Sequence, residues 1–346
     1  MFDGPKWSQN GHEAHEQAAR LASEPESALS VVVVWRAGLF STRDSRYTSR
    51  ITSCCGNQAV VDFFLADDSR QPRPSVPGLG PLTAAGGILV SERQVRSLAE
   101  AVGDACDRWG FPPGESFKWS PGPELWMHGH LGGHFREGFF KEVLWLASLH
   151  DAVAVVVVTD TRFGKVNGAP THELSVTRML MERINLLCER RHSLGQVLVD
   201  RPPGDRKAEV HFLADCMSTI DKGTEYVKFE NLLWVHTAPS KVFRLLQLAD
   251  LVTSCSVAAV SGSDRAWTTF GDVRNLMDAS GGRVGGYGLK LYPRERNANL
   301  YHWLVGDTSA WTGGTPLRLP SPGSRFATDP YERRRVQTPV PDDLPF

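Results

Sequence analysis

The six cysteines (Cys54, Cys55, Cys106, Cys188, Cys216 and Cys255) include no C-x-x-C pair and no spacing of the kind that frames a secreted disulfide scaffold. They read as reduced thiols of a cytoplasmic protein. Long apolar runs are missing as well. The longest, 152–158, falls far short of the roughly 20 residues that span a bilayer. The first residues carry Asp3, Lys6, His12 and Glu13 without a basic stretch feeding an apolar one, so no signal peptide is expected. The expectation is a soluble, cytoplasmic chain with no membrane partner. An excess of one charge is also absent. With a formal net charge of −1 there is no global basic field to hold nucleic acid non-specifically. A nucleic-acid partner would depend on local clusters such as 331–336 and 189–192, which read equally as solvated surface. Three nucleotide or hydrolase signatures are missing too. The glycines of 78–87 precede a strand instead of joining strand to helix, and neither G-x-x-x-x-G-K-[ST] nor G-x-S-x-G occurs.

What is present is an alternation of short apolar runs with amphipathic stretches. Residues 59–66, 86–90, 152–160, 196–200 and 231–236 read as strands; 91–109, 135–150, 171–191, 205–221 and 241–260 read as helices. The run 152–160 has no polar alternation, so it belongs at the centre of a sheet covered on both faces. The pattern predicts an α/β fold with a mixed sheet flanked by helices. Residues 1–57 fit the rhythm poorly and read as an N-terminal extension, followed by a domain over 58–262. A C-terminal elaboration is expected over 263–311, and a tail rich in Pro, Gly and Arg over 312–346.

Helix 241–260 holds the most informative residue. Between 242 and 260 only Arg244 and Asp250 are charged, so the helix should be buried nearly all round. An ionised Asp250 there costs several kcal/mol, roughly, unless a cation or donors compensate it. Asp67 and Asp68 follow the first strand, Glu115 opens ESFKW with Lys118 behind it, and Asp160 and Asp200 each end a strand. Strand ends of an open sheet gather ligand sites, but a strand-terminal Asp also forms turns, and for Asp160 the turn is favoured. Several carboxylates converging from different elements would suit Mg²⁺ or Mn²⁺. Ser240 stands where an N-cap of the buried helix is expected.

LADDS after a strand, then GGILV, ESFKW, VLVD and LLQLAD together resemble the domain of unknown function 3800 (DUF3800) family. The resemblance covers roughly 59–260, with GYGLK near 286–290. It implies a ribonuclease H-like fold and a metal-dependent nuclease, or related phosphodiester hydrolase, acting on DNA or RNA. The family's Asp-Glu-Ser matches Asp67, Asp68 and Ser69, with Asp68 in place of the usual Glu. Its E-x-K element falls on Glu115 and Lys118 with one extra residue between them, and its Gln-x-Ala-Asp on Gln247, Ala249 and Asp250, unaltered. The implied catalytic set is Asp67, Glu115, Lys118, Asp200 and Asp250, with metal held by Asp67, Glu115, Asp200 and Asp250. Asp68, Ser69 and Gln247 support it.

Two other readings stay open at this level. A ribonuclease H-like core can lose an acid and survive as a non-catalytic module that binds nucleic acid or protein. MHGHLGGH places His128, His130 and His134 in one loop, a spacing that can hold zinc and that equally describes a glycine-rich surface or a basic contact. Oligomeric state has no signature in the sequence.

Overall fold

In the computed structural model, which describes residues 60–307 apart from 77, 167, 295 and 296, the apolar runs become a six-stranded mixed sheet. The expected extension 1–57 and tail 312–346 lie outside the described residues. Strands β1 (Val60–Gln71), β2 (Leu82–Ser91) and β3 (Val153–Asp160) pair antiparallel in succession. Strands β4 (Ser193–Asp200) and β5 (Leu232–Ala238) continue parallel from the other side of β1, and β6 (Leu289–Tyr292) runs parallel to β3. The order is β5-β4-β1-β2-β3-β6, so β1 is interior. The valines and alanine of VAVVVV make β3 buried on both faces, as its unbroken apolar run requires.

Two separate cores lie against the two faces. On one, α1 (Glu92–Arg108), α3 (His134–Leu149), α6 (Arg244–Val260), α7 (Trp267–Leu276) and α8 (Ala298–Val305) pack with Leu65, Ile88, Val156 and Val158. On the other, α4 (His172–Arg191) and α5 (Arg206–Lys222) cover Phe64, Ala66, Val155 and Val157. A one-turn helix, α2 (Trp126–His130), lies in the connection before α3. Successive side chains of a strand point to opposite faces. Odd-numbered residues of β1 therefore face α6, and even-numbered ones face α4.

The strands and helices fall close to their expected ranges, with two differences that bear on the site. Strand β1 continues to Gln71, past the apolar residues, because β2 begins at Leu82 and pairs with it through Gln71. Asp67 and Asp68 are therefore inside the strand. Gly87 is required there: a Cβ would meet the Leu65 carbonyl oxygen at 1.8 Å. Helix α6 begins at Arg244, not 241, because Ser240–Val242 form a 3-10 turn first. Ser240 is thus not its N-cap; Phe243 holds that position without a side-chain cap. Among the described residues no helix is long and apolar enough to cross a membrane.

Candidate active site

Asp67 projects from the middle of the sheet toward α6, a helix buried along almost its whole length. The two elements touch through hydroxyls: Ser254 Oγ donates to Asp250 Oδ1 at 3.2 Å and lies 3.0 Å from Ser69 Oγ. Asp67 is 7% exposed, and its Oδ1 accepts from the Asp68 N–H at 2.8 Å. Burial first, then the negative charges of Asp250, Asp200 and Asp68, push its carboxyl from 3.8 up to about 8. The carboxyl of Asp250 is raised too, chiefly by burial, with the Trp119 N–H, the Lys118 ammonium and the Ser254 hydroxyl opposing. Asp67, Asp200 and Asp250 thus form a repelling group, and no ion pair reaches Asp67 among the described residues.

The compensation of Asp250 begins with a peptide donor. Its Oδ2 accepts the Trp119 N–H at 2.9 Å. One and two turns earlier on the same face, Gln247 and Arg244 grip the same segment. Gln247 Oε1 accepts the Phe117 N–H at 3.2 Å, Gln247 Nε2 donates to Ser116 Oγ at 3.3 Å, and Arg244 Nη1 donates to the Glu115 carbonyl. Residues 115–119 form no strand, so their peptide groups have no ladder to satisfy them, and three helix side chains spaced i, i+3, i+6 take that place. Gln247 also donates to the Ser240 carbonyl at 2.8 Å and accepts from Arg244 Nη1 at 3.0 Å, which fills its carboxamide at 1% exposure. The Gln-x-Ala-Asp sequence therefore has a structural task, fixing Lys118 beside Asp250.

Asp200 closes β4 at the same end of the sheet. Its Oδ1 accepts from the N–H groups of Arg201 and Ser240, each at 2.8 Å, which ties β4 to the turn leading into α6. Glu115 points elsewhere: its Oε2 accepts the Trp126 N–H at 3.3 Å, at the start of α2. Asp68 is exposed on the opposite face of β1, beside Arg70, which pairs with Glu173 at 3.3 Å. The alternation along β1 accounts for the placement of Asp68.

Asp160 forms a turn. Its carboxylate accepts from the Gly80 N–H at 2.9 Å and the Arg162 N–H at 3.0 Å and pairs with the Arg162 guanidinium. Burial pushes this carboxyl up, but Arg162 and the two N–H groups outweigh it and hold it below the usual range. The three histidines make separate contacts: His128 Nδ1 donates to the Pro121 carbonyl at 3.0 Å, His130 Nδ1 to the Trp126 carbonyl at 2.8 Å, and the His134 ring packs on Phe135. Among the described residues no group of three or more His, Cys, Asp or Glu is arranged to hold a metal ion. Asp67, Asp200 and Asp250 are close enough for their charges to act on one another.

Arg244 and Ser254 are the site residues that motif reading passes over. Arg244 is the one other charge of the buried helix, and Ser254 follows Asp250 by one turn on its face; both are visible by spacing. In comparisons with known proteins, no family model, curated protein or solved structure matches this chain.

Proposed function

We propose that this is a ribonuclease H-like protein of the DUF3800 type that hydrolyses phosphodiester bonds of nucleic acid with the help of Mg²⁺ or Mn²⁺. The observation that carries the reading is Asp67: a carboxylate deep between a central strand and a buried helix, facing two more carboxylates and, among the described residues, no ion-pair partner. Buried acids held near one another without a cation are unfavourable unless protons or metal relieve them. A donor set of carboxylate oxygens suits a hard divalent ion. Asp67 and Asp250 would hold it, with the second oxygen of Asp200 completing the set; Glu115, turned to Trp126, stays outside. Bound there, the ion would supply an activated water and stabilise charge on the scissile phosphate. The chain's own contribution is to position. Arg244, Gln247 and Asp250 fix residues 115–119 so that Lys118 stands beside the acids, where its ammonium can meet a phosphate oxygen.

The mixed sheet supports the fold half of this reading, since its interior strand and the adjacent parallel strand carry Asp67 and Asp200 to one end. The test is cleavage of single-stranded, duplex and hybrid substrates with Mg²⁺ or Mn²⁺. Asp67→Asn together with Asp250→Asn is expected to abolish it; undiminished activity in the double variant sinks the assignment. One observation favours the alternative, a module that binds without cutting: Asp250 already spends one oxygen on the Trp119 N–H and one on Ser254. Calorimetry with Mn²⁺ separates the two, because a module without a metal site gives no saturable binding.

A further inference from the structure

The acid site leaves the glycine- and histidine-rich stretch around α2 unused, yet two links tie that stretch to it. Trp119, whose N–H binds Asp250, is followed two residues on by Pro121, whose carbonyl holds His128. Glu115, whose carbonyl holds Arg244, accepts the Trp126 N–H. On this stretch the His130 ring stacks flat on Trp126, with centroids 4.6 Å apart and planes 5° from parallel. His130 is exposed, so the stack ends in an open ring. Beyond it Phe135 is 55% exposed, its ring 4.1 Å from that of His134.

The rings are held, not loose. A carbonyl oxygen can only accept, so Nδ1 of His128 and of His130 carries the proton and donates. Nε2 of each is left to meet a ligand. The glycines add an independent sign. A Cβ built at Gly129 or Gly132 meets nothing within 4 Å, and neither residue has a positive φ. Packing and backbone conformation therefore do not require glycine at either position. Bare backbone beside open aromatic rings suits close approach of another chain.

We propose that α2, the turn after it and the start of α3, with His130, Phe135 and the bare backbone of Gly129 and Gly132, form a stacking platform for unpaired bases, so that the ligand of this protein is single-stranded nucleic acid. Aromatic rings accept bases of any sequence once those are unstacked, which a duplex does not offer. Arg136, whose Nε donates to the Leu131 carbonyl at 2.9 Å next to Gly132 and which lies near Arg265, brings positive charge to the platform, and His128 offers a ring nitrogen to the nucleic-acid backbone. The inference rests on the hydrolase reading for the fate of the bound strand, but binding itself can be measured alone.

The experiment is fluorescence anisotropy of the full chain with labelled oligothymidylate, oligouridylate and a matched duplex, in EDTA so that nothing is cut. Wild type is expected to prefer either single strand to the duplex. His130→Ala with Phe135→Ala should weaken single-strand binding about tenfold, at an unchanged melting temperature. Gly132→Leu, which has room in the fold, should weaken it in the same direction. Equal affinity for duplex and single strand, no binding at all, or full binding in both variants overturns the platform. Single-strand binding lost in these variants, in a protein that never cleaves with Mg²⁺ or Mn²⁺, upholds the platform and removes the hydrolase. Cleavage of single strands that both variants leave untouched does the reverse.

Discussion

Asp62 and Asp67 stand five residues apart on the same strand, both buried, and they face opposite sides of the sheet. Asp62, fully buried toward α4, is met by the Arg191 guanidinium at 2.9 Å and the Ser193 hydroxyl at 2.7 Å, both on its Oδ2; its Oδ1 has no hydrogen-bond partner among the described residues. Asp67 meets a single backbone N–H from its neighbour and the fields of three other carboxylates. Among the described residues, one buried acid thus has its counter-charge and another has none. A charge kept for stability comes with its partner, while a charge kept unpartnered among its like is the one to suspect of chemistry.

The largest effect should come from neutralising the acid that lacks a partner. Asp67→Asn is expected to stabilise the metal-free fold, because the wild-type carboxyl, at about 8 in the fold against 3.8 when free, must take up a proton on folding at neutral pH. The shift caps the gain at roughly 4 kcal/mol at pH 7. Urea unfolding of both proteins measures it. A destabilised variant would break the contrast between the two aspartates.

Next in size is the response to pH and metal. The folded state holds a proton on Asp67 that the unfolded chain has released, so the contribution of Asp67 to stability is greatest below about 4, falls as pH rises, and levels above about 8. Mg²⁺ or Mn²⁺ added at pH 8 should recover the loss, by about 2.7 kcal/mol at a hundredfold excess over Kd. Melting curves across pH, with and without metal, decide this; in Asp67→Asn both the slope and the metal response should shrink. Asp62→Asn should act in the opposite sense to Asp67→Asn. It strips the charge from two hydrogen bonds and leaves Arg191 unmatched, for a loss of about 2 kcal/mol. If Asp62→Asn stabilised the fold as well, partnering would not be what separates the two residues.

Much of this site is legible without the fold. An ionisable residue in an apolar helix marks Asp250, and spacing places Gln247 on its face, because helical periodicity is a local property. The sequence asks for a cation or donors to compensate Asp250 without saying which, and the fold supplies the Trp119 N–H, the Ser254 hydroxyl and the nearby Lys118. A peptide N–H has no identity in the sequence, so a helix face gripping an irregular segment more than a hundred residues earlier leaves no pattern to read. The sequence pattern likewise ends strand β1 at residue 66, since its last residues are polar and only pairing with β2 keeps them extended. Glu115 joins the acids by motif order alone, and its side chain follows α2 instead.

The smallest effect should come from the residue next to Asp67. Asp68 is exposed on the α4 side of β1, and its contribution to Asp67 is a backbone N–H together with a repelling charge. Asp68→Ala keeps the N–H and removes the repulsion, so stability should change by no more than about 0.5 kcal/mol. The metal-induced shift in melting temperature should persist, because strand alternation turns the residue away from Asp250. If Asp68→Ala instead abolished the metal response while leaving the fold intact, Asp68 would be a ligand. The adjacent pair would then act together across the strand edge, and the division of β1 into a partnered face and a reactive face would fail at its most sensitive point.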